Sequence, residues 1–85
     1  MHYQYRCKGT CAYVIELDLD EEKKLHNVKF YGGCDGNHKG LVRLVEGQDA
    51  ARIADTLAGT TCGPRATSCP DQLSCAIRAA LAQAE

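Results

Sequence analysis

The sequence predicts an α+β fold: a small antiparallel β-sheet in the N-terminal half, covered by two or three C-terminal helices. Up to about residue 31 apolar and polar residues alternate, which is typical of half-buried strands. From about residue 37 apolar residues recur at the three- and four-residue spacing of amphipathic helices. A chain of 85 residues without linker or repeat indicates one domain, residues 1-85.

Three strands are expected in the first part of the chain. The first is YQYRC, in which Tyr3 and Tyr5 alternate with polar residues. The second is AYVIELDLD, and the acidic turn Asp20-Glu21-Glu22 separates it from LHNVKFYGG, its return strand in an antiparallel hairpin. The side chains expected on one face of the second and third strands are Tyr13, Ile15, Leu17, Leu19, Val28 and Phe30.

The helical part begins with two short amphipathic segments separated by Glu46-Gly47-Gln48. Their inward residues are expected to be Leu41, Leu44, Val45, Ala50, Ile53, Ala54 and Leu57. Gly59 closes the second helix. The last helix follows Ser68, Pro70 and Asp71, which are a capping residue, a first-turn proline and an acid favoured by the helix dipole. Its apolar stripe contains Leu73, Ala76, Ile77, Ala80, Leu81 and Ala84.

Composition excludes several classes of protein. Ten basic and eleven acidic residues leave no dominant positive charge, so we expect no nucleic-acid binding. The first residues contain no apolar signal segment, and no stretch approaches the length of a membrane span, so we expect a cytoplasmic protein without membrane contact. Exposed strand edges in so small a sheet make a homodimer a reasonable expectation.

Six cysteines stand out, and four of them lie beside a predicted turn or element end. No C-x2-C pair occurs, so the commonest local signature of structural zinc is missing. Loops meeting at one end of a small sheet can still bring four thiolates around one zinc ion. Metal ligands, redox thiols and small buried apolar groups all remain open as interpretations. The four are Cys11, Cys34, Cys62 and Cys69.

Cys69 is the best candidate for a reactive thiol. It lies at the predicted start of the last helix, where the helix dipole favours the thiolate, and Arg65 is near in sequence. With Cys62 it forms a candidate redox pair. Cys75 lies near the edge of the apolar stripe, which indicates packing rather than chemistry.

The glycine-rich segment GGCDGNHKG lies between the third strand and the first helix. Glycines allow close backbone approach and a helix N-terminus attracts anions, so Gly33, Gly36 and Asn37 are candidates for a phosphate or nucleotide site. The segment matches neither G-x-G-x-x-G nor a Walker loop, and a tight turn explains the same glycines. His38 is either a zinc ligand or, as we expect, a solvated histidine.

Four motifs occur in order: YRCKGTC, VKFYGGCDGNHKGL, LVEG and LAGTTCGPRATSCPDQL. The last contains TSCPD, residues 67–71, and with these motifs the chain resembles the TSCPD domain family over nearly its whole length. By position, the resemblance assigns the family's cysteines to Cys11, Cys34, Cys62 and Cys69. Cys7 and Cys75 stand where other residues are expected, so the resemblance implies that they are accessory.

The resemblance also implies a partner. The domain is known as a C-terminal part of adenosylcobalamin-dependent ribonucleotide reductases, and stand-alone versions often carry the label ribonucleoside-diphosphate reductase. The reduction requires a large barrel that shields a radical and binds nucleotide and cobalamin, which 85 residues cannot build. We therefore expect an accessory zinc or thiol module that assists a ribonucleotide reductase or another nucleotide enzyme. A stand-alone thiol-redox protein and a nucleotide-binding module are the alternatives.

Overall fold

The computed structural model describes residues 1–7, 13–32, 35–59 and 69–84, and these contain a sheet followed by helices. The elements are β1 (His2–Arg6), β2 (Val14–Leu19), β3 (Leu25–Tyr31), α1 (Asp35–Val45), α2 (Ala50–Leu57) and α3 (Cys69–Ala84). The strands form one antiparallel sheet in the order β1-β2-β3. The α+β prediction is confirmed.

The middle strand β2 provides the centre of the core. Ile15, Leu17 and Leu19 are buried, and the residues between them are only partly covered, so the predicted alternation is confirmed there. Tyr13 was expected on the same face but its side chain is 72% exposed. It precedes β2, at the end of the sheet, so the alternation does not extend to it.

A bulge changes the pattern of β3. Leu25 and Val28 are both buried although they are three residues apart, which a regular strand does not permit. Between them Asn27 adopts a φ of 54°, and the register with β2 shifts between Glu16 and Asp18. The inserted residue returns the following part of β3 to the core face, where Phe30 is half-buried.

The last helix covers the sheet. Its predicted stripe is confirmed at Leu73, Ala76, Ile77 and Ala80, none of which is exposed to solvent. These side chains pack α3 against β1 and β2 on one side and against α2 on the other. Ala84 is exposed, because it lies at the end of the described helix. The predicted capping residue Ser68 lies outside the described residues.

The first helix lies against β3 and begins earlier than the sequence predicts. α1 starts at Asp35, within the glycine-rich segment that was expected to be a loop. Val45 is buried and Leu41 is half-buried, but Leu44 is 74% exposed, contrary to expectation. At about 100° per residue, Leu44 lies about 100° from the centre of the inward stripe formed by Leu41, Val42 and Val45.

The connection between α1 and α2 is hydrogen-bonded to the start of β3. The Gly47 N–H donates to the Leu25 carbonyl at 2.6 Å, and the Leu25 N–H donates to the Gln48 carbonyl at 2.9 Å. Asp49 caps α2 by accepting from the Arg52 N–H at 3.0 Å. These bonds fix the far ends of α1 and β3 relative to each other.

Among the described helices, none has the length and apolar character needed to cross a membrane.

His26 adds an ionic link between the start of β3 and the α1–α2 connection. Its Nδ1 lies 2.7 Å from a Glu46 carboxylate oxygen and its Nε2 lies 2.7 Å from an Asp20 carboxylate oxygen. Carboxylate oxygens only accept, so both hydrogen bonds form together when the imidazole is protonated on each nitrogen. The hydrogen bond with Asp20, followed by that with Glu46, raises the pKa of His26 above 6.5.

We therefore expect His26 to titrate above pH 6.5 in the folded protein, and Glu46→Gln to lower that pKa toward 6.5. Protonated His26 favours folding, so its contribution to the free energy of unfolding is complete below the unfolded-state pKa. It is lost as pH rises through the higher folded-state pKa. NMR titration of the imidazole measures the effect.

His2 is the internal control for this titration, since it contacts Glu16 and Asp18 instead of Glu46. Its pKa should not change in Glu46→Gln. A folded-state His26 pKa at or below 6.5, or one that Glu46→Gln leaves unchanged, would contradict the ionic link.

Candidate functional site

The ends of all three strands meet at one end of the sheet. The Cys7 N–H, just beyond β1, donates to the Tyr13 carbonyl at 2.8 Å. The Tyr13 N–H, just before β2, donates to the Tyr31 carbonyl at the end of β3, at 2.7 Å. These two bonds bring Cys7, Tyr13 and Tyr31 together at one end of the sheet, which we call the cysteine end.

The start of α3 lies at the cysteine end as well. Cys69 is the first residue of α3 and is half-buried. Cys7, beyond β1, and Cys75, in α3, are also half-buried. Cys7 lies close enough to both Cys69 and Cys75 for their charges to interact. The structure therefore gathers three thiols from two elements that are more than 60 residues apart in sequence.

The environment of Cys7 disfavours its thiolate. Burial, followed by the charges of Cys69 and Cys75, raises the pKa of Cys7 from its usual 9.0 to about 11. A buried anion loses hydration, and each further negative sulfur nearby makes ionisation less favourable. At neutral pH, Cys7 is a protonated, weakly nucleophilic thiol.

Tyr5 completes this group of side chains. It lies two residues before Cys7, on the same face of β1, and its hydroxyl shares a hydrogen bond with Cys75. Burial raises the pKa of Tyr5 above 10.0, and the charges of Cys75 and Cys7 add to the effect. Tyr5 thus joins β1 to α3 through Cys75.

Of the four predicted ligand cysteines, the structure describes one. Cys69 is placed as expected, at the start of the last helix. The other three, Cys11, Cys34 and Cys62, lie outside the described residues. Within the described part of the chain, no three His, Cys, Asp or Glu side chains form a group able to hold a metal ion.

The structure also describes only some of the candidate residues of the glycine-rich segment. Gly36 and Asn37 lie in the first turn of α1 rather than in a loop, and Gly33 lies outside the described residues. His38 was expected to be solvated, and this is wrong. It is 7% exposed, and its ring stacks on Phe30 with centroids 4.3 Å apart and planes at 18°.

Sequence reasoning missed the contribution of Cys7 and Cys75, which it treated as accessories. One signal was available for Cys7: Tyr3, Tyr5 and Cys7 occur at alternate positions, so β1 turns all three to the core face. No such signal existed for Cys75, because its neighbours come from β1, far away in sequence.

Comparison with known proteins supplies a family. The family model described as TSCPD domain matches residues 2–81, which is nearly the whole chain. No curated protein and no solved structure matches the chain.

The raised pKa of Cys7 makes a kinetic prediction. In metal-free folded protein, alkylation of Cys7 by iodoacetamide at pH 8 should be roughly one-hundredth as fast as that of an ordinary thiol, because each pKa unit lowers the thiolate fraction about tenfold. The rate should keep rising as pH approaches 11. Quenched alkylation followed by peptide mass spectrometry measures it.

The same peptide in urea-unfolded protein is the control, and there the rate should level off near pH 9. A folded-state rate for Cys7 that also levels off near pH 9 would contradict the buried, charge-coupled environment.

Proposed function

Because the chain belongs to the TSCPD domain family, we propose that it is an accessory module of ribonucleotide reduction built around one zinc-thiolate site. The ligands in this proposal are Cys11, Cys34, Cys62 and Cys69. Four thiolates around a tetrahedral zinc ion form a closed structural site, with no position left for substrate. The module therefore assists an enzyme and does not catalyse the reduction.

The observation that carries this proposal is the meeting of elements at the cysteine end. Cys11 is two residues from Tyr13 in the sequence, and Cys34 is two residues from Gly32, which directly follows Tyr31. Tyr13 and Tyr31 are hydrogen-bonded to each other at that end. Consecutive Cα atoms are about 3.8 Å apart, so the chain allows at most about 7.6 Å between the Cα atoms of Cys11 and Tyr13 and about 11.4 Å between those of Cys34 and Tyr31. The length of the chain therefore allows both cysteines to reach this end, as the proposal requires.

The third and fourth ligands are tethered through α2 and α3. Cys62 follows Gly59 by three residues, and the Gly59 N–H donates to an Asp71 carboxylate oxygen at 2.7 Å. Asp71 lies in the first turn of α3, two residues after Cys69. The chain that carries Cys62 therefore leaves α2 beside the start of α3. The half-buried Cys69 thiol lies at that start.

Bound zinc would supply folding free energy to a domain whose core is small. The residues of the chain provide the rest of the site. The dipole at the start of α3 favours the thiolate form of Cys69 that coordination requires. Asp71 holds α2 against that turn, and Cys7, protonated at neutral pH, lies beside the site as a neighbour rather than a ligand.

A second candidate is a thiol-redox function centred on Cys62 and Cys69, and it is supported by the half-buried position of Cys69 at the N-terminus of α3, where the helix dipole favours a thiolate. In that reaction two thiols lose two protons and two electrons to oxidised glutathione, which is reduced to two glutathione thiols, and one protein disulfide forms. Since zinc coordination and a disulfide use the same sulfurs, one experiment separates the two functions.

We expect protein purified without chelator to contain about one zinc ion per chain, measured by inductively coupled plasma mass spectrometry. Cys69→Ser should lose most of that zinc and unfold at lower urea concentration. Cys75→Ser is the matched control, since it removes a half-buried thiol from the same helix without removing a proposed ligand. It should retain the metal.

Wild-type protein with no zinc and with every thiol titrating freely would contradict the metal site. In that case the redox function would be favoured by a disulfide between Cys62 and Cys69. The disulfide would be formed in a glutathione redox buffer and mapped by mass spectrometry.

A further inference from the structure

A groove runs between β3 and α1. Its volume is about 440 Å³. One wall is formed by four consecutive residues of β3, 28–31, and the other by positions 38, 39, 42 and 43 of α1. Positions 38 and 42 are one helical turn apart, as are positions 39 and 43, so the four form a single stripe on the helix. Small-molecule sites typically have volumes of about 300 to 1,000 Å³, so the groove has the size of a ligand site.

The groove follows the free edge of the sheet. Neighbouring residues of a strand point to opposite faces, so a space bordered by four consecutive residues lies along the edge of the strand. β3 is an edge strand, paired only with β2 among the described strands.

Positive charge lines both walls. Lys29 lies on β3, whereas Lys39 and Arg43 lie four residues apart on α1, and none of the described residues that line the groove is acidic. Within the described part of the chain, neither Lys29 nor Arg43 has an ion-pair or hydrogen-bond partner for its side chain. Lys29 and Arg43 thus line opposite walls of the groove, in a protein whose net charge is -1.

The floor between the cations is apolar. Val28 is 2% exposed, and the ring of Phe30 is stacked on the buried ring of His38. Val42 is half-buried beside them. A ligand that fits this surface combines negative charge with a flat or apolar portion.

We propose that the β3–α1 groove binds an organic phosphate. Arg43 presents a planar fork that matches two phosphate oxygens, and Lys29 provides a point charge from the opposite wall. The apolar part of the ligand lies over the half-buried Phe30 and Val42 and excludes water from them. This site is separate from the zinc proposal, because it uses none of the cysteines.

AMP, inorganic phosphate and adenosine form a matched set of probes. AMP combines the negative charge of phosphate with the flat ring system of adenosine. AMP at about 5 mM should shift the backbone amide signals of residues 28–31 and 38–43 in NMR spectra, with an affinity above that of either part alone. The shifts should weaken as salt concentration rises.

The double variant Lys29→Gln and Arg43→Gln should bind AMP about tenfold more weakly, because it loses both charge-assisted contacts. The control is the double variant Lys23→Asn and Arg52→Gln, which removes the same net charge from residues outside the groove, and it should bind like the wild type. Asn suits position 23, where φ is 60°.

Three results would overturn the proposal: no shift of these amides at the highest AMP concentration, equal weakening in both double variants, or adenosine or phosphate alone binding as tightly as AMP. Zinc content can be measured on the same samples, so failure of the groove and failure of the zinc site are distinguishable.

Discussion

The packing of α3 against the sheet is the constraint on which the other features depend. Leu73, Ala76, Ile77 and Ala80 are completely buried, and they fix the helix over β1 and β2. This packing places Cys69 and Cys75 beside Cys7, which no local preference of the chain would do. The Ser74 hydroxyl donates to the Ala54 carbonyl at 2.7 Å and holds α2 to the same helix. The thiols are therefore positioned by the core.

The two candidate sites use adjoining parts of β3, and Tyr31 borders both. The end of the strand, at Tyr31, belongs to the cysteine end, where the strands are joined by backbone hydrogen bonds. The edge of the strand borders the cationic groove with α1. His26 and the α1–α2 connection fix the opposite end of this strand–helix pair.

Sequence pattern predicted β1, β2 and α3 well because their side chains alternate or form stripes at the period of the element. It failed where tertiary packing overrides local preference. Glycines at positions 36 and 40 disfavour a helix, yet α1 includes both, since Val45 and its neighbours pack α1 against β3. The bulge at Asn27 has no periodic signal. Cys69 was found from its motif, but the nearness of Cys7 and Cys75 arises only when β1 meets α3.

X-ray absorption spectroscopy at the zinc edge, on protein purified without chelator, tests the central claim most directly. The site at the cysteine end predicts a first shell of four sulfur atoms at about 2.3 Å and no nitrogen or oxygen ligand. In Cys69→Ser protein that retains some metal, one sulfur should be missing from the shell. A shell dominated by nitrogen or oxygen in the wild type, or an unchanged sulfur count in Cys69→Ser, would contradict a single site formed by four cysteine thiolates.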